Sequence, residues 1–212
     1  GPRTRLSVPL TWGGERLAQV ELERRLDSPK LTRLRVGASL LRRENAALGA
    51  VDSRQRVWAR GERELTRALR AGAWGGVDFV TFGGADGRVV RTGIDATIDT
   101  RADPMLPGTA VFTRTAVERL DSDTGGTALC TLVDVSGSVS GLGPATVVAR
   151  VYRDGATRPV PPYLKVLLGR DATLRGIRAD TVAADTTAAG SLELRVPVTS
   201  PLRLARVDRK ST

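Results

Sequence analysis

The feature that most constrains this chain is a series of short segments in which apolar and polar residues alternate, divided by glycine and proline. Leu6, Val8, Leu10 and Trp12 alternate with Ser7, Pro9 and Thr11. A period of two is the mark of a half-buried strand. Pro9 has no amide hydrogen for a ladder bond, which places this strand at an edge or pairs it on one side only. Gly13-Gly14 then supplies a tight turn, and Ala18, Val20 and Leu22 alternate with Gln19, Glu21 and Glu23 on a returning strand. After the turn at Asp27-Ser28-Pro29, Leu34 and Val36 continue the pattern into a third strand.

From residue 73 onward the chain also reads as β. Val77–Phe82 is a short apolar run, and the stretch Gly83–Gly87 contains Asp86-Gly87, a turn signal. Ile94, Ala96 and Ile98 alternate with Asp95, Thr97 and Asp99. Further candidate strands cover 109–118, 127–135, 145–153, 163–168, 172–178, 191–199 and 202–207. Gly125-Gly126, the Gly137–Pro144 loop, Asp154-Gly155 and Pro159–Pro162 separate them. Many short strands between Gly/Pro turns predict a mainly β chain, an antiparallel sandwich or barrel, with a jelly roll among the options. Helical patterns do not alternate with the strands, which disfavours doubly wound and TIM-barrel folds.

Residues 39–71 read differently. Ser39 is a candidate cap for a short helix through Leu48, broken by Gly49, and Asp52-Ser53 for a second one. In the second, Arg56, Arg60, Arg63, Arg67 and Arg70 recur at spacings of 4, 3, 4 and 3. On a helix they fall on one stripe, opposite Trp58, Leu65 and Leu69. Gly72 stands where a C-cap glycine belongs. The predicted organisation is therefore a basic, partly helical part over 1–72 and a β body over 73–212, within one compact domain.

Charge is unevenly placed. The net charge is +10; residues 1–72 hold 16 basic and 8 acidic residues, and the remainder 17 and 15. Such asymmetry points to a polyanionic partner on the basic side. A helical row of five guanidiniums would bind phosphates without reading sequence. Aromatic residues make up only 4% of the chain, too few for a base-stacking platform.

Several chemistries are excluded by composition. The chain has no histidine and one cysteine, Cys130, which removes Ser-His-Asp and Cys-His machinery, the common zinc sites and internal disulfides. No P-loop is present. Ser136–Gly141 is not a nucleophile elbow and reads as a strand connection. No apolar run approaches 18 residues, so no membrane span is expected. Neither a cofactor nor a metal is called for. Asp95, Asp99 and Asp103 are the one carboxylate group from which a metal-dependent hydrolase could be built.

The expectation from sequence is a non-enzymatic assembly protein: a self-associating β shell of the virus or phage-particle kind. Arg56, Arg60, Arg63, Arg67 and Arg70 would contact RNA or DNA backbone, inside a cell or a virion rather than in a disulfide-rich secreted setting. The alternatives are a β-sandwich interaction module of the tail or baseplate type without nucleic acid, and a hydrolase using Asp95 and Asp99.

Overall fold

The computed structural model describes residues 3–102, 108–141, 143–167 and 182–196. The candidate strands over 172–178 and 202–207, the end of 191–199, and Asp103 lie outside the described residues. Within them the chain is mainly antiparallel β, and they contain no α-helix.

The strands are β1 (Thr4–Ser7), β2 (Leu10–Thr11), β3 (Glu15–Arg25), β4 (Arg33–Asn45), β5 (Ala50–Glu64), β6 (Leu69–Phe82) and β7 (Ala85–Asp99). They continue with β8 (Ala110–Ser122), β9 (Gly126–Gly141), β10 (Gly143–Ala156), β11 (Val166–Leu167), β12 (Ala183–Ala184) and β13 (Thr186–Arg195). One sheet holds all but β11 and β12, in the order β1-β3-β4-β5-β6-β7-β8-β9-β10-β13. β2 also pairs with β3, in the register that β1 sets: Leu6 faces Leu22 and Leu10 faces Ala18. β1 and β2 are thus one edge strand interrupted at Val8-Pro9, as the missing proline amide requires. Every neighbour in the sheet follows its predecessor in sequence, a meander of ten strands when β1 and β2 are counted together.

The helices expected in 39–71 do not form. Ser39 lies inside β4, Gly49 is in the β4–β5 turn with φ 61°, and Asp52 and Ser53 belong to β5. Gly72 is inside β6, and the sheet runs unbroken across the 72/73 boundary. The reason is that Arg56 and Arg60, four apart, satisfy a period of two as well as a helical one. The remaining positions of β5 alternate at two: Asp52, Arg54, Trp58 and Glu62 on one side, Val51, Val57 and Ala59 on the other.

The turn expected over Gly83–Gly87 forms at its start, and two other turn assignments change. The β6–β7 hairpin turns at Gly83-Gly84, whose φ values of 58° and 88° suit glycine, while Asp86 and Gly87 are already in β7. Gly137–Ser140 belongs to β9, and Asp154-Gly155 to β10. Gly126, with φ 67°, does turn the chain between β8 and β9.

Burial is inverted relative to a water-soluble sandwich. Buried apolar residues are few: Val80, Val89, Leu120 and Tyr163 form a small cluster flanked by Phe82, Cys130 and Leu164, and Ala110, Ala128 and Val160 are buried outside it. Asn45, Asp52, Glu62, Asp78 and Asp95 are buried as deeply. Meanwhile Val57, Ile94 and Leu192 are more than half exposed, at 61%, 63% and 77%. The sheet therefore shields its charged face and presents its apolar one.

Candidate functional site

Side chains alternate along a strand and Cα partners share a face, so the register assigns each residue to one side of the sheet. The shielded side is lined with ion pairs. Arg54, Arg56, Arg60, Arg91 and Arg150 each place a guanidinium nitrogen 2.7 or 2.8 Å from a carboxylate oxygen, of Asp52, Asp78, Asp95, Glu118 and Asp134 respectively. Arg56 grips Asp78 with two bonds of 2.7 Å, and Arg91 grips Glu118 with bonds of 2.8 and 2.7 Å. Arg91 also reaches Asp78 at 3.4 Å. At the other end, Arg33 and Arg35 stand 3.6 and 3.5 Å from Glu62.

The electrostatics follow from this packing. Burial opposes the charge on Asp78, but the hydrogen bonds and charge of Arg56, with Arg91 and Arg54 behind it, hold that carboxyl below its usual value of 3.8. Burial also works against Arg91, and Glu118 and Asp78 outweigh it, keeping the guanidinium charged. Asp154 has the opposite fate. Burial raises its carboxyl, and the charge of Glu118 adds to this against the Tyr152 hydroxyl, 3.2 Å away. Cys130 is pushed up to about 11 by burial and by Glu118 and Asp154, which makes it a poor nucleophile at neutral pH. Arg56, Arg60, Arg91, Arg114, Glu118 and Asp154 line a cavity of about 400 Å³ on this face, floored by Trp58 and Trp74. Trp74 lies over Gly93, where a Cβ would collide with the ring, and donates its indole N–H to Glu118 at 3.2 Å.

One connection folds onto the same face. After β10 the chain forms a 3-10 turn at Pro162–Leu164 that sets Tyr163 against Val80, Val89 and Leu120. The Tyr163 hydroxyl lies 3.0 Å from Ser122 Oγ and 2.7 Å from Thr124 Oγ1, and Arg54 donates to the Tyr163 carbonyl. This segment therefore bridges β5 to β8 at the end of the sheet that carries the Gly83-Gly84 turn. Gly87 is glycine because a Cβ there would stand 2.8 Å from the Tyr163 hydroxyl.

The five arginines of the expected stripe are dispersed. Arg56 and Arg60 are on the shielded face, committed to Asp78 and Asp95, and Trp58 shares that face instead of opposing them. Arg63 points to the other face and is exposed; Arg67 is exposed in the β5–β6 turn; Arg70 faces the shielded side, opposite Glu64. Asp95 is 8% exposed and bonded to Arg60, and Asp99 is bonded to Arg101 at 2.9 Å, so each already holds a cation of the protein itself. Among the described residues, no group of three or more potential ligands gathers to hold a metal.

The outer face carries the feature that sequence reasoning missed. Its charges are Arg16 and Arg24 on β3, Arg42 and Glu44 on β4, Arg63 on β5, Asp86 and Arg88 on β7, Arg119 and Asp121 on β8, and Arg153 on β10. All stand toward strand ends or along one border. Between them runs an uncharged belt, for instance Ala18, Val20 and Leu22 on β3, Val90 to Ile98 on β7, and Thr127 to Val139 on β9. The eight-residue interval from Arg16 to Arg24 corresponds to about 26 Å along the strand.

The border of this belt runs obliquely. Cα partners carry the level of Arg42 through Ser53 and Thr81 to Asp86. They carry the level of Arg153 through Val133 and Thr115 to Ala96. On β7 these levels are about ten residues apart, roughly 33 Å, while the six strand steps from β4 to β10 cover roughly 29 Å. The strands are therefore inclined by about 45–50° to the belt's normal, close to the ~45° of strands that cross a bilayer.

The chain matches no protein-family model, and a comparison with curated proteins finds no relative.

Proposed function

We propose that this chain forms the strand wall of a transmembrane β-barrel, with the uncharged belt against lipid acyl chains and the ion-paired face turned to the lumen. The observation that carries this reading is the oblique belt. A water-soluble sheet has no reason to clear every outward charge from a tilted band, whereas a barrel in a bilayer must. The inverted burial supports it: isolated soluble proteins rarely leave a contiguous apolar surface this extensive. At a tilt of 45° the belt is roughly 19 Å tall, and the arginine stems at its borders extend the reach toward the ~25 Å apolar band of such barrels.

The described residues supply ten strands, with β1 and β13 at the two edges of the sheet. With an even number of antiparallel strands, the first and last run in opposite directions and can pair with each other. Catalysis has no part in this reading; the lumen carries matched charges, and Tyr163 narrows it at one end.

The test is refolding of the full chain in phosphatidylcholine vesicles. The expected result is co-flotation that survives alkaline carbonate and urea washes, with the arginine-rich strands protected from trypsin. A self-associating shell that meets nucleic-acid phosphates is the second reading. It is favoured by Arg63 and Arg67, which are exposed and have no ion-pair partner among the described residues. Defined particles in detergent-free buffer that bind random-sequence RNA, with no vesicle insertion, would overturn the barrel in favour of that shell.

A further inference from the structure

The two borders of the belt differ. The border near the Gly83-Gly84 and Gly126 turns carries Arg16, Arg42, Arg88, Arg119 and Arg153 on the outer face, against Glu44, Asp86 and Asp121. Arg119 is taken by Asp121 at 2.9 Å, and Asp86 accepts from Thr81 at 2.7 Å. Arg16 and Arg42 are Cα partners, so two like charges stand directly opposite each other. Neither has a carboxylate partner among the described residues, and such an arrangement is destabilising unless an anion lies between them.

This pair opens onto a groove of about 840 Å³ in the outer surface. Leu10, Ala18, Leu40 and Phe79 supply apolar walls on the belt side, and Arg88 adds a third cation along the border. Trp12, 86% exposed, stacks under Arg16 with the guanidinium carbon 5.0 Å from the ring centroid. An amphipathic aromatic at this level is the usual residue of a membrane–water interface.

We propose that this groove binds an anionic phospholipid, with its phosphate between Arg16 and Arg42 and an acyl chain along Leu40 and Phe79. The proposal rests on the membrane-barrel reading above. Charge complementarity selects the headgroup: Arg16 and Arg42 are paired with each other and not with acids, while the two acids that also line the groove are engaged elsewhere, Asp86 by the Thr81 hydroxyl and Asp123 by the Arg88 amide. A zwitterionic headgroup brings its own cation to the same place and gains less.

The experiment uses the full chain in phosphatidylcholine vesicles doped with spin-labelled phosphatidic acid or spin-labelled phosphatidylcholine. The expected result is a preference for phosphatidic acid that falls about 30-fold in Arg16→Gln/Arg42→Gln, at about one kcal/mol per cation, and is unchanged in Arg24→Gln/Arg63→Gln. Circular dichroism of the double variants confirms that both keep the sheet. Insertion without a preference, or a preference lost equally in both variants, overturns the lipid site and leaves the barrel standing. Failure to insert overturns both.

Discussion

Placing one charge in the middle of the belt separates a lipid-facing surface from a wet one. Ile94 points outward from β7 and is 63% exposed. The nearest outward charge on its strand is Arg88, six residues away, or about 20 Å along the strand. With the strand inclined at ~45°, Ile94 sits roughly 14 Å inside the border, near the centre of a ~25 Å apolar band. Ile94→Arg should therefore cost about 2–4 kcal/mol, a shift of roughly 30- to 1000-fold in the folding equilibrium in vesicles. Val90→Arg, two residues from Arg88, should cost no more than about 1 kcal/mol. Urea titration of folding in phosphatidylcholine vesicles reads both. If the outer face met water, Ile94→Arg would change stability by less than about 0.5 kcal/mol, and equal small effects at both positions would refute the reasoning.

Further expectations concern the shielded face. Asp78→Asn leaves Arg56 without its main partner and should cost about 2–3 kcal/mol, below the 3–5 of a fully buried pair because Arg56 remains 36% exposed. Since Asp78 is held below 3.8, its contribution is present above that value and is lost as pH falls through the lower, folded-state value. Acid unfolding of the wild type should show this loss below pH 3.8, and the Asn variant should lack it. Asp154 is raised, so its ionisation opposes folding once pH passes 3.8. Asp154→Asn should match the wild type at low pH, gain on it between pH 3.8 and the raised folded-state value, and keep that margin at higher pH, as denaturant midpoints across pH would show. Gly93→Ala should destabilise by about 1–3 kcal/mol, because the new methyl group displaces Trp74 from Glu118; altered tryptophan emission would accompany the loss.

Much of the strand content was legible. The hairpin through Gly13-Gly14, the strand carrying Leu34 and Val36, and the Gly125-Gly126 turn are where the alternation and turn residues place them. The side of the sheet that would be buried was not legible. Period-two alternation tells that a strand has two different faces, and composition ordinarily assigns the apolar one to the interior. Here Asp95 and Arg60 are inside and Ile94 is outside.

The arginine stripe was misread for a related reason. Positions 56 and 60 fit either period, and a mix of Asp, Arg, Trp and Glu on one side of β5 does not look like an interior until its partners on β6 and β7 are known. Asp86-Gly87 and Asp154-Gly155 resemble turns, but these glycines serve close approach. Tyr163 crowds Gly87, and Thr186 crowds Gly155. The belt's slope could not be seen before register was known, because it is a relation among strands far apart in sequence.

The most direct test of the account is an accessibility scan along β7. Single cysteines are placed from position 88 to 98 in a Cys130→Ser background, spin-labelled in vesicles, and exposed to oxygen and to a water-soluble nickel chelate. The account predicts that even positions favour oxygen, most strongly near Ile94, while odd positions favour nickel. Equal nickel access at even and odd positions would contradict it.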